Sequence, residues 1–308
     1  MTGIEALLLG FSPLAMFISA ACSAVIMATS KVGGVARLLH REVAQVQDIH
    51  DTPTLRLGGI GVIAAFAVGA VGLFTSESVQ PSYWMFLLSL LPVASAGLLE
   101  DVTGRVSPMW RLIAAASSGI LFVAIFGQWI NRFGIPSVDV FLDAWPWIAI
   151  GFTIFACAGA THAVNLIDGV NGLSGMWAVS AALSLALIAH TVDLDSHTSA
   201  LLLFASAVAG FLLVNYPWGK IFLGDAGAYV IGHVLSWLAV SILWNASEVA
   251  PTAVLLIFFW PVADTIYAIV RRLVKGTPLS KADSAHFHHL AFKILVTRAG
   301  LSKRAANP

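Results

Sequence analysis

The sequence alternates between long apolar segments and short polar connections, and nine apolar segments have the length of a membrane-spanning helix. Such a helix needs about 20 mostly apolar residues to cross the hydrocarbon of a bilayer. The nine segments cover residues 6–28, 57–75, 83–99, 112–131, 145–162, 173–191, 198–216, 227–244 and 250–270. The pattern predicts an all-α polytopic membrane protein, a bundle of about nine to ten transmembrane helices, in which residues 1–308 form one domain.

The composition is that of a membrane protein. Of the 308 residues, 58% are hydrophobic and 10% are charged, whereas a soluble domain has about 25% charged residues. The formal net charge is zero, so no nucleic-acid partner is predicted. Cys22 and Cys157 lie in apolar segments, which argues against a disulfide framework or a thiolate metal site. The first Lys is Lys31, so we expect residues 6–28 to be a retained span and not a cleaved signal peptide.

The basic residues predict the orientation. Counted from the first span, the odd-numbered connections contain 15 of the 16 Lys and Arg residues, and Arg132 is the exception. These connections are residues 29–56, 100–111, 163–172, 217–226 and 271–308. Because positively charged connections stay in the cytoplasm, we expect all five there and the N-terminus outside. Residues 271–308 would then form a basic cytoplasmic tail.

Every cluster of polar residues falls on this predicted cytoplasmic side. The clusters are His50–Gly59, Glu100-Asp101, Asn165–Gly172, Phe222–Gly227 and His286–His289. A transporter or flippase would instead place polar groups near the middle of the membrane and often show inverted repeats. Neither pattern is visible in the sequence.

The central cluster, Asn165–Gly172, has three carboxylate or amide side chains and two glycines in eight residues. These residue types suit oxygen coordination of a hard cation and a phosphate, although a plain turn between helices uses them too. Asp225 directly precedes an apolar span. It is predicted to cap that helix or to hold a metal ion at the helix N-terminus, which also attracts phosphate, and the two roles are compatible.

The acidic pair Glu100-Asp101 directly follows an apolar segment. A carboxylate at the hydrocarbon edge costs a few kcal/mol unless it is paired, hydrated or metal-bound, and adjacent carboxylates oppose each other's ionisation. The pair is predicted either to be functional or to end a helix at the interface, with Thr103 and Arg105 as local partners.

Three histidines, His286, His288 and His289, follow a run of basic residues. No Cys or clustered carboxylate completes a zinc site around them. They are predicted to bind an anion such as pyrophosphate, or else to lie in a basic tail on anionic lipid headgroups. Asp264 lies roughly two turns inside the last span, where it is a functional candidate or a structural partner of Arg271 or Arg272.

Together, the five clusters resemble, in their order, the motifs of the polyprenyl-phosphate N-acetylhexosamine-1-phosphate transferase family (glycosyltransferase family 4). The Pro-x-x-Arg-x-Gly-Gly form at residues 53–59 and the His-x-His-His form at residues 286–289 are similar to the bacterial undecaprenyl-phosphate GlcNAc-1-phosphate transferase branch. The phospho-MurNAc-pentapeptide transferase branch, which tends to have three consecutive histidines, is the alternative. Glu100 and Asn171 depart from the family, because each replaces an Asp or another acid. These departures also leave a non-catalytic membrane scaffold open.

The resemblance implies transfer of HexNAc-1-phosphate from a UDP-sugar to undecaprenyl phosphate, as the first membrane step of O-antigen, exopolysaccharide or cell-wall polymer synthesis. The enzyme would lie in the bacterial inner membrane, in contact with membrane lipids, with a cytoplasmic active site and with a second copy of the chain (a homodimer) as a candidate partner. It would use Mg²⁺, or Mn²⁺, held by Asn165 and Asp225. The implied catalytic residues are Glu100, Asp101 and Asp168. The implied substrate-binding residues are Arg56, Asn171, His286, His288 and His289.

Overall fold

The structure is a computed structural model, and it describes residues 12–29, 54–74, 83–278, 286–299 and 307. All regular structure within these residues is helical. The helices are α1 (Pro13–Thr29), α2 (Gly58–Phe74), α3 (Tyr83–Thr103), α4 (Pro108–Phe126), α5 (Pro136–Ala144), α6 (Pro146–Leu166), α7 (Leu173–Thr191), α8 (Asp195–Asn215), α9 (Gly224–Asn245), α10 (Pro251–Val274) and α11 (Phe287–Thr297).

Nine of these helices correspond to the nine predicted spans, which confirms the all-α polytopic fold. Among the described residues, seven helices, α3, α4 and α6 to α10, are long and apolar enough to cross a membrane. The helices α1 and α2 are shorter apolar helices of 17 residues each. The sequence pattern did not predict α5, between α4 and α6, or α11, within the expected basic tail. The protein is therefore a multi-pass membrane protein.

A serine cap at one end and a left-handed glycine at the other, and not hydropathy, set the limits of α4. The side chain of Ser107 accepts a hydrogen bond from the backbone N–H of Trp110, and Pro108 occupies the first turn, where its missing N–H costs nothing. Gly127 ends the helix in the left-handed region (φ 63°), with its N–H bonded to the carbonyl of Val123. The predicted span began at residue 112, so the cap adds Arg111 to the first turn of the helix.

The helix α9 is enclosed by its neighbours. Its apolar window is fully buried, whereas only 28% of the α3 window, 22% of the α4 window and 28% of the α10 window is buried. It packs chiefly against α6, α3 and α2. The first turn of α9 contains Asp225, so this carboxylate lies where the ends of several helices meet.

Glycines allow the neighbouring helices to approach α9 closely. A Cβ atom on Gly97 of α3 would lie 2.5 Å from the Cα of Ala226, and one on Gly59 of α2 would lie 2.3 Å from the Cα of Gly227. A larger residue would force these helices apart, as at other close contacts between membrane helices. The glycines beside two of the polar clusters therefore bring those clusters to the start of α9.

Backbone hydrogen bonds fasten the start of α2 to the segment before α9. The N–H of Phe222 donates to the carbonyl of Leu55 (2.7 Å), and the N–H of Gly58 donates to the carbonyl of Phe222 (2.9 Å). This pairing holds Arg56 near the first turn of α9. Residues 50–53, the beginning of the predicted His50–Gly59 motif, lie outside the described residues.

Candidate active site

Asp225 lies at the centre of the candidate site. Its Oδ1 accepts a hydrogen bond from Nδ2 of Asn165 at the end of α6 (3.0 Å), and its Oδ2 forms an ion pair with Nη1 of Arg111 in the first turn of α4. Both side chains of the ion pair are largely buried, with exposed fractions of 18% for Arg111 and 15% for Asp225. The sequence prediction that Asn165 and Asp225 lie together agrees with this geometry.

Asp101 joins the acidic pair to the same helix start. Its Oδ1 accepts a hydrogen bond from the backbone N–H of Asp225 (2.8 Å), and its Oδ2 accepts one from the N–H of Ala226 (2.9 Å). A carboxylate in this position accepts hydrogen bonds from two amide groups that have no partner within the helix, and the positive end of the helix dipole stabilises a negative charge there. The cap of α9 is therefore Asp101 from α3, and not Asp225 as one sequence alternative had it.

Glu100 has a different partner from its neighbour. Its Oε2 accepts a hydrogen bond from the backbone N–H of Val106 (2.8 Å) across the turn between α3 and α4. The same turn is closed by a bond from the N–H of Gly104 to the carbonyl of Glu100 (2.7 Å). The interfacial-cap alternative expected Thr103 and Arg105 as partners, whereas the observed partner is the Val106 amide. Glu100 thus shapes the α3–α4 turn, while Asp101 acts on α9.

Gly224 gives the polypeptide room to pass between these groups. Its backbone is in the left-handed region (φ 77°), and a Cβ atom would lie 2.1 Å from the carbonyl oxygen of Arg56 and 2.7 Å from Oδ2 of Asp101. The side chain of Arg56 is exposed, and its positive charge acts on the carboxylates of Asp101 and Asp168. The residue predicted to bind phosphate therefore lies at the open edge of the acidic cluster.

Asp168 lies in the central loop between α6 and α7. Burial raises the pKa of this carboxyl from 3.8 to about 6, against the lowering effects of a hydrogen bond from the Ser174 hydroxyl and of the charge on Arg56. The negative charge of Asp225 raises it further. Asp168 therefore titrates close to neutral pH and belongs electrostatically to the Asp225 cluster.

The histidine motif is tied to α10 by Asp264. Oδ2 of Asp264 lies 2.8 Å from Nδ1 of His286, and its Oδ1 accepts a hydrogen bond from the backbone N–H of Phe287 (3.1 Å). Both side chains are buried, with 8% of Asp264 and 2% of His286 exposed. The observed partner of Asp264 is thus His286, and not Arg271 or Arg272 as the sequence suggested. The carboxylate also satisfies an amide at the start of α11.

His288 packs on the central loop. A Cβ atom on Gly169 would lie 2.3 Å from Nε2 of His288, and the ring of His289 lies 4.2 Å from that of His288 between centroids. Burial, assisted by the charges of His289 and His286, lowers the pKa of His288 to about 4, so the imidazole is neutral at pH 7. Both ring nitrogens are buried without a hydrogen-bond partner among the described residues. A neutral ring can donate one N–H to a ligand.

Asn171 has local contacts instead. Its side chain is 8% exposed, its Nδ2 donates to the carbonyl of Pro217 (3.1 Å), and its backbone N–H donates to Oδ1 of Asn307 (3.1 Å). A Cβ atom on Gly219 would lie 2.5 Å from its Oδ1. These contacts join the central loop to the segment before α9, and none of them is to the Asp225 cluster.

Sequence reasoning missed Arg111. It counted this residue only as a positive charge in a cytoplasmic connection, because the predicted span began at residue 112. The Ser107-Pro108 pair was the available signal, since Ser followed by Pro is typical of a helix start. A helix that begins there contains an arginine in its first turn, and ionisable residues at such positions are functional candidates.

The donor groups at Asp225 suit a hydrated divalent ion. Mg²⁺ keeps several of its waters and needs only one or two protein oxygens, which the Asp225 carboxylate and the Asn165 amide can supply. The described residues contain no group of three or more His, Cys, Asp or Glu side chains placed to hold a metal. Any cation here would therefore keep most of its coordination sphere for water or substrate oxygens.

The fold and the site define a class: a multi-pass membrane protein with carboxylates, amides and histidines gathered at one end of a helical bundle. The chain belongs to glycosyl transferase family 4, because residues 83–243, just over half of its length, match that family. The resemblance inferred from the five motifs is thereby confirmed.

Three curated relatives illustrate the similarity. The probable undecaprenyl-phosphate N-acetylglucosaminyl 1-phosphate transferase of Bacillus subtilis (strain 168) is 27% identical over 263 residues, 84% of this chain and 70% of the relative. The undecaprenyl-phosphate alpha-N-acetylglucosaminyl 1-phosphate transferase of Escherichia coli (strain K12) is 28% identical over 289 residues, 86% of this chain and 74% of the relative. The decaprenyl-phosphate N-acetylglucosaminephosphotransferase of Mycobacterium tuberculosis (strain H37Rv) is 27% identical over 298 residues, with shares of 87% and 71%.

Proposed function

We propose that the protein transfers HexNAc-1-phosphate from a UDP-sugar to undecaprenyl phosphate, giving the lipid pyrophospho-sugar and UMP. Family membership and the names of the relatives support this proposal. The observation that carries it is the convergence on Asp225 of Asp101 and Asn165, which are 124 and 60 positions away in the chain. A carboxylate and an amide oxygen gathered from distant segments suit a hydrated divalent cation, which can in turn bind phosphate oxygens.

The chemistry is a displacement at phosphorus. An oxygen of the lipid phosphate attacks the β-phosphorus of the UDP-sugar, the bond to the bridging α–β oxygen breaks, and that oxygen leaves on UMP. The lipid phosphate is largely ionised at neutral pH, since the second pKa of a phosphate monoester is about 6. A strong base is therefore unnecessary, and the chief tasks of the protein are positioning and charge balance.

The acidic pair has two different tasks in this proposal. Both oxygens of Asp101 accept backbone N–H groups of α9, so Asp101 is a positioning residue that aligns Asp225. Glu100 has one oxygen in the bond to Val106, and its other oxygen can orient the acceptor phosphate or take a residual proton. The longer Glu side chain extends this oxygen by about one methylene compared with Asp.

A divalent cation would be held by Asp225 and Asn165. When bound, Mg²⁺, or Mn²⁺ in its place, supplies neutralisation of the pyrophosphate charge. Arg56 at the exposed edge pairs with phosphate oxygens, and Asp168 accepts hydrogen bonds from hydroxyl groups of the donor. The neutral ring of His288, with His286 and His289 beside it, donates N–H groups to the same anion.

The membrane orientation belongs to the same proposal. UDP-sugars are cytosolic, so the site faces the cytoplasm of a bacterial inner membrane, as the distribution of Lys and Arg predicts. A cysteine introduced at Lys220, which follows α8 at the site end of the bundle, should react with a membrane-impermeant maleimide in inverted vesicles and stay protected in intact cells. The reverse pattern would contradict the assigned orientation.

The test is release of UMP from UDP-GlcNAc by protein in nanodiscs that contain undecaprenyl phosphate. We expect lipid-dependent UMP release that stops with EDTA and returns with Mg²⁺ or Mn²⁺, and Asp225→Ala should abolish it in protein that remains folded. A panel of UDP-sugars, including UDP-MurNAc-pentapeptide, identifies the donor. Absence of UMP release with every donor would reject the enzyme proposal, and turnover indifferent to chelator would reject the metal.

A further inference from the structure

The carboxylate of Asp225 already has a cation in contact with it. Nη1 of Arg111 pairs with Oδ2, and Nδ2 of Asn165 donates to Oδ1. Each carboxylate oxygen therefore has a protein donor. In this structure, the guanidinium of an arginine from another helix thus binds the carboxylate that is proposed to bind Mg²⁺.

Charge balance explains why an arginine lies here. The exposed fraction of Asp225 is only 15%, and an ionised carboxylate removed from water is destabilised unless a positive charge accompanies it. Both oxygens of Asp101 are used by the adjacent backbone amides, whereas Oδ2 of Asp225 pairs with the guanidinium of Arg111. Arg111 therefore supplies the positive charge that accompanies the buried carboxylate of Asp225.

The hydrogen bonding of Arg111 is incomplete. Its Nε is buried and has no partner among the described residues. The phenol of Tyr229 is hydrogen-bonded to its guanidinium, and His162 and Glu100 lie close enough to interact with its charge. An arginine that served only as a structural clamp would be expected to use its five donors more fully. The geometry thus fits a counter-ion that has an unused donor in Nε and can keep Tyr229 as a partner when it leaves Asp225.

We infer that Arg111 and the divalent cation compete for Asp225, so that Arg111 holds the carboxylate when the cation is absent and is displaced when it binds. This inference rests on the proposed function, because it requires Asp225 to be a cation ligand. Two positive charges on one small carboxylate repel each other, so removal of the guanidinium must favour the cation. The arginine therefore lowers the affinity of the site for the metal.

The affinity of purified protein for Mn²⁺ tests the competition without any turnover. Electron paramagnetic resonance of Mn²⁺ in solution reports the free ion directly. We expect Arg111→Gln to bind Mn²⁺ more tightly than wild type by a factor in the roughly 5- to 150-fold range typical of coupled sites. Arg111→Lys retains a positive charge and should stay closer to wild type. Thermal unfolding of each variant, with and without Mn²⁺, provides a second measure of binding.

Arg105→Gln is the matched control. Arg105 lies in the turn between α3 and α4, its side chain is exposed, and an exposed charge is screened by salt. Its removal changes the net charge as Arg111→Gln does, but should leave the affinity for Mn²⁺ within about twofold at 0.15 M ionic strength. An equal effect of both substitutions would show a general effect of net charge and would overturn the competition.

The outcomes separate this inference from the proposed metal site. Specific Mn²⁺ binding that is lost in Asp225→Asn but unchanged or weakened in Arg111→Gln would overturn the competition alone. Equal tightening in Arg111→Gln and Arg111→Lys would do the same, because charge would not be the cause. Absence of Mn²⁺ binding, or equal binding by wild type and Asp225→Asn, would remove the cation site and the competition with it.

Discussion

Gly169 and His288 touch: a Cβ atom added to Gly169 would lie 2.3 Å from Nε2 of the imidazole, well inside van der Waals contact. The central loop and the histidine motif, which are separated in the chain by the four helices α7 to α10, therefore form one surface. The absence of a side chain at position 169 allows this contact.

The contact predicts a selective loss of function in Gly169→Ala. The added methyl group must push the His288 ring away from the central loop, and small displacements at a reacting site are costly. We expect the rate of UMP release to fall by at least about tenfold, while the melting temperature changes little. Gly159→Ala in α6, where a Cβ atom would meet nothing within 4 Å, is the control and should retain full activity.

Asp264 is predicted to hold the histidine motif in place. Asp264→Ala leaves His286 and the N–H of Phe287 without their buried acceptor, and each unsatisfied buried group costs about 1–3 kcal/mol. We expect release of α11 from the bundle, seen as faster proteolysis after residue 278 and a large loss of activity.

Thr265→Ala is the neighbouring control for this prediction. Among the residues that the structure describes, the Thr265 hydroxyl bonds only to the carbonyl of Pro261 in its own helix (2.8 Å), so its removal should change neither proteolysis nor activity. Asp264→Ala protein with an intact, protected C-terminal segment would contradict a holding role for Asp264.

Replacing each member of the acidic pair by its amide should affect stability differently at the two positions. Asp101→Asn offers one oxygen to two backbone amides of α9, and loss of a helix cap costs about 1 kcal/mol. Glu100→Gln keeps an oxygen for the N–H of Val106. We therefore expect a lower melting temperature for Asp101→Asn but not for Glu100→Gln, measured by thermal unfolding in detergent. Any change in the activity of Glu100→Gln is then due to loss of the Glu100 charge. A full rate in this variant would exclude Glu100 as a necessary base.

Asp168 predicts a pH dependence with a definite sign. Its pKa is raised by burial from 3.8 to about 6, so its contribution to stability is complete below the unfolded value and is lost as the pH rises through about 6. Activity should change in the opposite direction, because the proposed donor-binding form is the ionised carboxylate. The value of kcat/KM is expected to rise through about pH 6.

Ser174 provides the test of this assignment. Ser174→Ala removes a hydrogen bond that favours the carboxylate, so the acid limb of kcat/KM should move to higher pH. Ser180→Ala, which deletes an exposed hydroxyl bonded to the carbonyl of Met176 in its own helix (2.9 Å), should leave the profile unchanged. An unshifted limb in Ser174→Ala would assign the titration to another group.

The sequence predicted the spanning helices and the proximity of Asn165 to Asp225. Hydrocarbon thickness fixes the length of a span, and basic residues mark one side, so the proximity of Asn165 and Asp225 could be expected from their places at helix ends. The pairings of Asp101 with the start of α9 and of Asp264 with His286 could not. They depend on how closely helices approach each other, and glycines such as Gly97 set that distance in three dimensions.

The two short helices were missed for a related reason. α5 and α11 have 9 and 11 residues, which is too short for the hydropathy pattern that identifies a span. The position of α11 depends on the carboxylate of Asp264, 22 residues before His286, and on the contact of His288 with Gly169. No local sequence pattern indicates either partner.

The enclosure of α9 has a consequence for biosynthesis. Because a chain is synthesised from its N-terminus to its C-terminus, α1 to α8 are inserted before α9, the helix that is enclosed in the finished bundle. Their packing cannot be final until α9 arrives, because its place would otherwise be filled by lipid. Fragments that stop before residue 224 would contain Asp101, Arg111 and Asn165 but would lack the helix start that gathers them, so catalytic competence is acquired late in synthesis.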